Sequence, residues 1–486
     1  MTSAQPSKIA QKSAASSTGG EFRAFLTRLH FYIGLFVGPF ILVAALSGTA
    51  YVLTPQLENY VYRSYLNGVA SGQPQSLEAQ VNAARAYYGA DKSLFAVRPA
   101  TAEGKTTRVM FADPKLGDSE TRAVFVDPVT LDVKGDLVVY GTSGVLPIRW
   151  IIDVFHRNML LGDFGRNYSE LAASWLWIAT IGGFLLWFWR RGTDSVQTST
   201  RDGKTAGLRR VHTTIGLWIG IGLLFLSATG LTWSKYAGDN ITALRKSLAW
   251  ETPSVSLKLE AAAAPAAAGH AAHADHSAHA DHGKASTAPV SAGVPDPATQ
   301  IDQVLATAKS SGIIDSPLVE IRPSKSADKA WMVREYDRST PTQVDTVAVD
   351  PRNMTVTSRA DFATFTIVPK LIRWGIDLHM GIKFGVLNQI VIALIGSALS
   401  VSIVYGYAMW WKRRPPAGAP ARTLAQSWLY LGFPAKLGVL VVGVALGFAL
   451  PLMGLSLLAF VVVDLVRWRL DKSRRAGRRL QAAPAE

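Results

Sequence analysis

The stretch RLHFYIGLFVGPFILVAALSGTAYVLT, Arg28 to Thr54, decides the fold, because RRVHTTIGLWIGIGLLFLSATGLTWS, Arg209 to Ser234, repeats it. Aligning His30 with His212 also aligns Gly34-Leu35 with Gly216-Leu217, Gly38 with Gly220 and Gly48 with Gly230, all at an offset of 182 positions. Each copy is apolar over more than the roughly 20 residues needed to cross a bilayer, with a histidine at its basic end. Histidine is rare inside membrane spans and faces the protein interior when present, so two at equivalent positions point to a shared internal task. Glycines on the same helix leave room either for something bulky or for a close helix neighbour.

Of the 486 residues 49% are hydrophobic and only 17% charged, which suits a multi-span membrane protein with sizeable loops rather than a soluble enzyme. The formal charge of +15 does not require a nucleic-acid partner, because Arg and Lys cluster beside the apolar runs, as membrane topology demands. There is no cysteine, which excludes thiolate-ligated haem, cysteine-held iron–sulfur clusters and disulfides. Any metal must rely on His, Met, Tyr, Asp or Glu.

Six apolar runs are expected to span, near 28–54, 169–189, 212–234, 386–411, 429–449 and 451–468. Their basic flanks, Arg23 and Arg28, Arg190-Arg191 through Arg209-Arg210, Lys412-Arg413-Arg414, and Arg467 to Arg479, fall on one side. That side is expected to be cytoplasmic, with both termini in it. The Ser/Ala/Gln-rich residues 1–21 read as disordered, and the first apolar run is too long for a signal segment, so it stays as an anchor. The remaining boundaries follow: a first span over 22–54, cytoplasmic loops over 192–208 and 415–428, a third span over 209–234, a hairpin of two spans over 429–468 and a basic tail over 469–486.

Two outer segments, 55–147 and 235–370, also echo each other. SLEAQVNAARAYYG, VRP and VFVDPVTLDV in the first answer to TQIDQVLATAKSSG, IRP and VAVDPRNMTV in the second. Helical spacing at Leu77, Val81 and Ala84, then Val/Phe alternation around Asp127-Pro128 or Asp350-Pro351, predicts two small α+β domains. An Ala/Pro-rich stretch over 252–298 reads as a flexible linker. A third echo follows each domain, IRWIIDVFHRNMLLGDFG from Ile148 and IRWGIDLHMGIKFG from Ile372, each leading into a span over 148–191 and 371–414.

Five of the nine histidines, His270, His273, His276, His279 and His282, lie in the linker at intervals of three, a pattern that favours weak metal capture and not catalysis. The other four, His30, His156, His212 and His379, mark the starts of the first four spans. If the halves are related by an axis along the membrane normal, His30 faces His212 at one side and His156 faces His379 at the other. Two facing neutral imidazoles can ligate one haem iron, and glycine gaps can admit a porphyrin face. Arg28, Arg209, Arg210, Arg149 and Arg373 are placed to pair with haem propionates or to sit as interface charges. Asp153 and Asp377 either orient a histidine or pair with Arg149 and Arg373 one turn earlier. The last two spans carry no histidine and read as scaffold.

R-x-H-x-x-x-G-L at Arg28 to Leu35 and Arg210 to Leu217, with FHRNMLLGDFG, LHMGIKFG and the two DP-containing domains, resembles the PepSY-associated transmembrane family, which includes bacterial inner-membrane ferric-siderophore reductases. The resemblance covers about residues 22–414. It implies two b-type haems held by His30, His212, His156 and His379, outer PepSY-like domains, and reduction of a ferric chelate on the periplasmic face. The histidine-rich insert departs from the family pattern. Gly216, Gly220 and Gly222 lie inside a span and cannot form a phosphate loop, so no nicotinamide or flavin domain is read in this chain. Electrons are expected from quinol or from a separate cytoplasmic reductase. The expectation is a six-span all-α membrane domain, its first four spans an internal duplication, in the bacterial inner membrane with two periplasmic α+β domains. It would act as a transmembrane oxidoreductase releasing iron from a siderophore. The alternatives are a metal permease using the same histidines and a non-enzymatic binding or regulatory module.

Overall fold

The computed structural model describes residues 8–117, 119–141, 144–191, 203–259, 295–413 and 423–481. In chain order the helices are α1 (Lys8–Tyr32), α2 (Gly38–Val52), α3 (Thr54–Val61), α4 (Arg63–Leu66), α5 (Leu77–Tyr88), α6 (Pro147–Asn158), α7 (Gly162–Arg191), α8 (Gly203–Leu231), α9 (Tyr236–Ser247), α10 (Pro297–Ser310), α11 (Ile367–His379), α12 (Gly385–Arg413), α13 (Leu424–Leu429), α14 (Phe433–Ala449) and α15 (Pro451–Gln481). A π-helical turn, Ile33–Val37, joins α1 to α2. The strands are β1 (Leu94–Arg98), β2 (Thr107–Phe111), β3 (Glu120–Val126), β4 (Val133–Tyr140), β5 (Val319–Arg322), β6 (Trp331–Glu335), β7 (Thr346–Asp350) and β8 (Thr355–Ala360). The chain divides into a helical unit, residues 1–49, 155–243 and 394–486, and a sheet-bearing unit, residues 50–154 and 244–393.

Among the described residues five helices are long and apolar enough to cross a membrane: Gly20–Val52, Gly162–Arg191, Thr205–Leu231, Gly385–Arg413 and Pro451–Leu470. The sixth expected span, 429–449, is shorter. Tyr430 ends α13, Gly432 starts a new helix, and α14 keeps 17 residues, or about 25 Å at 1.5 Å per residue. At the N-terminus helix begins at Lys8, inside the stretch 1–21 expected to be disordered; its Ala, Lys and Gln residues are good helix formers. The linker tract His270 to His282 lies outside the described residues.

The core of the helical unit gathers Ile33, Val37 and Ile41 with Ala172 and Trp175 of α7, Leu231 of α8 and Met453 of α15. Several buried polar groups on these helices find partners. Glu170 accepts from the Tyr236 and Ala237 amides (2.8 and 3.1 Å), capping α9, and Trp175 donates to Ser456 (2.9 Å). Asp464 of α15, 1% exposed, accepts from the Tyr32 hydroxyl (2.5 Å) and the Ala425 amide (2.6 Å). The last span is therefore tied by polar bonds to the helix that carries His30.

In the sheet-bearing unit the two expected α+β domains are one. All eight strands form a single antiparallel sheet in the order β4-β3-β2-β1-β5-β6-β7-β8, joined at its centre where Val97 pairs with Ile321. These are the first residues of VRP and IRP, so equivalent strands meet edge to edge and neither half leaves its β1 or β5 edge open. Helices α5 and α10 share the core beneath, with Val81 and Ala84 beside Ile301 and Val304. Beside the join lies Glu320. It is 1% exposed in β5 and is met by Arg98 of β1, Arg322 and Arg334 (2.6, 2.6 and 2.8 Å). Burial alone would raise its carboxyl, but three guanidinium groups hold it well below the usual carboxylate range.

Replacing Glu320 with Ala leaves those cations without their anion and is expected to cost about 3–5 kcal/mol. Hydrogen exchange should show it first, as lost protection of β1 and β5 amides. Because the folded carboxyl is depressed, its stabilisation is fully present above the unfolded value of about 4.5 and is lost only as pH falls through the folded value. Unfolding midpoints should thus be insensitive to this group between pH 5 and 8.

Candidate haem-ligating site

His30 sits in the last turn of α1 and His212 in the first third of α8, both inside the helical unit. Their ring centroids lie 6.3 Å apart with the planes inclined at 76°. Two imidazoles bound to opposite sides of one metal, with bonds of about 2.0–2.1 Å and each nitrogen about 1.1 Å from its ring centre, have centroids about 6.2–6.4 Å apart. The observed spacing admits one metal atom between the rings.

Hydrogen bonding decides which nitrogen of His212 is available. Its Nδ1 lies 2.8 Å from the Ser402 carbonyl, which can only accept, so Nδ1 carries the proton and Nε2 keeps its lone pair. The Ser402 hydroxyl stands 2.9 Å from the same Nδ1. His30 Nδ1, beside the backbone of Ala179, is buried without a hydrogen-bond partner among the described residues. Ala179 and Ser402 are 223 positions apart, as are His156 and His379.

The glycines separate into the two classes the repeat left open. Gly34 and Gly216, one turn after His30 and His212 on the same helix faces, have nothing within 4 Å of where a Cβ would stand. Gly38 and Gly220 are close-packing positions. A Cβ at Gly38 would stand 3.3 Å from the Tyr407 hydroxyl, and one at Gly220 would stand 2.1 Å from the Phe184 ring. Two further glycines, not singled out above, back the rings themselves: Gly183 against His30 (3.5 Å from a built Cβ) and Gly406 against His212 (3.8 Å). They too are 223 positions apart, so extending the comparison of spans to α7 and α12 would have found them.

His156, in the last turn of α6, is held in the same way. Its Nδ1 is 2.9 Å from Ser47 Oγ, and Ser47 donates its only proton to the Val43 carbonyl (2.6 Å), so the histidine is the donor and Nε2 again keeps its lone pair. A Cβ at Gly48 would stand 3.1 Å from His156 Cε1, and the Tyr168 hydroxyl donates to the His156 carbonyl. Spacing after Asp-x-x-His and Asp-x-His does differ locally. Helix α6 is followed by positive φ at Met159, Leu160 and Gly162, whereas α11 ends at His379 and turns through Gly381 and Gly385. His379 belongs to the sheet-bearing unit.

The charged candidates resolve as follows. Arg149 pairs with Glu58, whose carboxyl burial pushes up and Arg149 draws back down. Asp377, fully buried, accepts from Arg338 (2.6 Å) and Arg373 (3.1 Å), so it pairs with Arg373 as one of the two expectations held. Asp153 is buried midway along α6. Arg28 lies 6.0 Å from the Phe31 ring, Arg209 is half-buried and Arg210 exposed.

Residues 27–413 match the family described as the PepSY-associated TM region. The chain belongs to that family. No curated protein matches it. As a PepSY-associated transmembrane protein it combines several membrane-crossing helices with a separate antiparallel sheet unit.

The glycine classes make a prediction that needs no cofactor. Ala at Gly34 or Gly216 should leave the melting temperature of the haem-free protein unchanged or raise it, because helix propensity improves by about 1 kcal/mol. Ala at Gly220 should lower it, since overpacking against Phe184 costs about 1–3 kcal/mol.

Proposed function

We propose that this chain is a haem-containing transmembrane oxidoreductase that delivers electrons to ferric iron held by a siderophore outside the inner membrane. The observation that carries the reading is the His30–His212 pair. Its 6.3 Å separation, the lone pair left on His212 Nε2 and the space beside Gly34 and Gly216 all suit a b-type haem seated between α1 and α8. When bound, the haem supplies a one-electron Fe(III)/Fe(II) couple. The chain's own residues bind and orient: Ser402 fixes the His212 ring, Gly183 and Gly406 let both rings approach neighbouring helices, and the apolar helices keep water away.

His156 and His379 would hold the second haem of a duplicated four-span core. Ser47 Oγ stands 2.9 Å from His156 Nδ1, which suits a ring presented through Nε2. Ferric iron bound by hard oxygen donors is released on reduction because such chelators hold Fe(II) far less well. Since the chain shows no nucleotide fingerprint, quinol or a separate reductase would supply the electrons.

The test is an absorption spectrum of the purified protein, with two b-type haems per chain expected. His30→Ala and His212→Ala should each remove the same half of the signal, and His156→Ala and His379→Ala the other half. Leu at Gly34 or Gly216 should abolish the first signal without lowering the melting temperature of the haem-free protein. Absence of stoichiometric haem, or loss of the same component in His30→Ala and His379→Ala but not in His212→Ala, would overturn the reading.

Topology is tested separately. In this cysteine-free chain, Ser277→Cys is expected to label with a membrane-impermeant thiol reagent from outside and Ser195→Cys only from inside. Reversed labelling would invert the proposed direction of transfer.

A further inference from the structure

One continuous helical run serves two histidines. His30, in α1, faces His212 with ring centroids 6.3 Å apart, and further along the run Ser47, in α2, stands 2.9 Å from His156 Nδ1. Both contacts come from side chains whose directions the same backbone fixes. Between them lies the π turn, Ile33–Val37.

The residues around the turn explain it. In an α-helix the Leu35 carbonyl would accept from the amide of residue 39, but residue 39 is proline, which has no N–H and whose ring would press on that carbonyl. The helix opens to the wider spacing instead, and the Gly38 amide bonds the Ile33 carbonyl. The Tyr407 hydroxyl of α12 then donates to the Leu35 carbonyl (2.7 Å). Gly38 lets the ring come this close, since a Cβ there would stand 3.3 Å from the hydroxyl. Tyr407 directly follows Gly406, so the stretch of α12 that backs the His212 ring also holds the turn.

The aligned copy supplies the comparison. Pro39 answers to Ile221 at the offset of 182 positions, and Tyr407 answers to Phe184 at the offset of 223, with Phe184 against Gly220 as Tyr407 is against Gly38. There residue 221 has its amide, Phe184 has no hydroxyl, and α8 runs unbroken from Gly203 to Leu231. Proline, hydroxyl and π turn occur together in one copy and are missing together from the other.

We propose that Pro39 and Tyr407 are positioning residues for both histidine sites: they hold the π turn that keeps His30 facing His212 while Ser47 faces His156. Closing the turn as α-helix with the same residues would add about 100° between the two ends, which carries one side chain off its partner whichever end stays anchored. That these sites bind haem rests on the function proposed above; that one helix aligns them does not.

The cysteine-free chain permits a test without haem. His30→Cys with His212→Cys, and separately Ser47→Cys with His156→Cys, are treated in the full chain in nanodiscs with a short bifunctional methanethiosulfonate, and both pairs should bridge. Adding Pro39→Ile and Tyr407→Phe together gives the Leu35 carbonyl an amide partner. The melting temperature should hold, while bridging of at least one pair is lost. Deleting Phe36 as well removes one residue from the turn and brings the two ends back into phase, so the lost bridge should return. In the histidine-containing chain the paired substitution should likewise cost one b-type haem and the deletion should recover it. The proposal fails if either pair does not bridge before the turn is altered, if both still bridge after Pro39→Ile and Tyr407→Phe, or if deleting Phe36 leaves the lost bridge unrecovered. An unaltered chain without haem would overturn the functional reading, and the bridging result would still decide this one.

Discussion

A neutral imidazole has one N–H and one lone pair, and a buried imidazole must place both. Where the N–H goes therefore decides what the lone pair can do. His212 gives its proton to a backbone carbonyl and His156 gives its proton to a serine whose own hydrogen is already committed, so each presents Nε2 away from the hydrogen bond that holds it. The surrounding structure follows from keeping these bonds. Glycine must stand where each ring meets a neighbouring helix, and the helices must be close enough for the carbonyl or hydroxyl to reach.

The sheet-bearing unit obeys the same accounting with charge in place of hydrogen-bond direction. Glu320 lies at the seam of two four-stranded halves, and Arg98 reaches it across that seam while Arg322 and Arg334 crowd the other side. Such a group is costly unless every partner is present. Strand register at β1 and β5 is consequently held by a buried ion cluster as well as by the backbone ladder.

Much of this could be read from residues alone. The 182-residue offset found the helices, the two histidines and the glycines, and helical spacing at Leu77, Val81 and Ala84 found α5. Fusion of the two sheets could not be read. Alternation shows which face of a strand is buried but not which edge it pairs along, and Val97 and Ile321 are far apart in the chain. Ser47 and Ser402 escaped notice because a hydroxyl inside an apolar run usually bonds its own helix, as Ser47 also does. Reading the last span as featureless scaffold missed Asp464, an acid whose position inside an apolar run was itself the signal.

The π turn at Ile33–Val37 adds a consequence for the relation between the two halves. From His30 to Ser47 and from His212 to Thr229 the chain counts the same number of residues, yet only the first path passes through a π turn, while α8 runs unbroken from Gly203 to Leu231. Each residue of an α-helix advances the side-chain direction by about 100°, and a π turn absorbs roughly one residue of that advance. Equal counts thus give unequal azimuths. Two helices whose sequences align at a constant offset therefore present their two ends in different relative orientations.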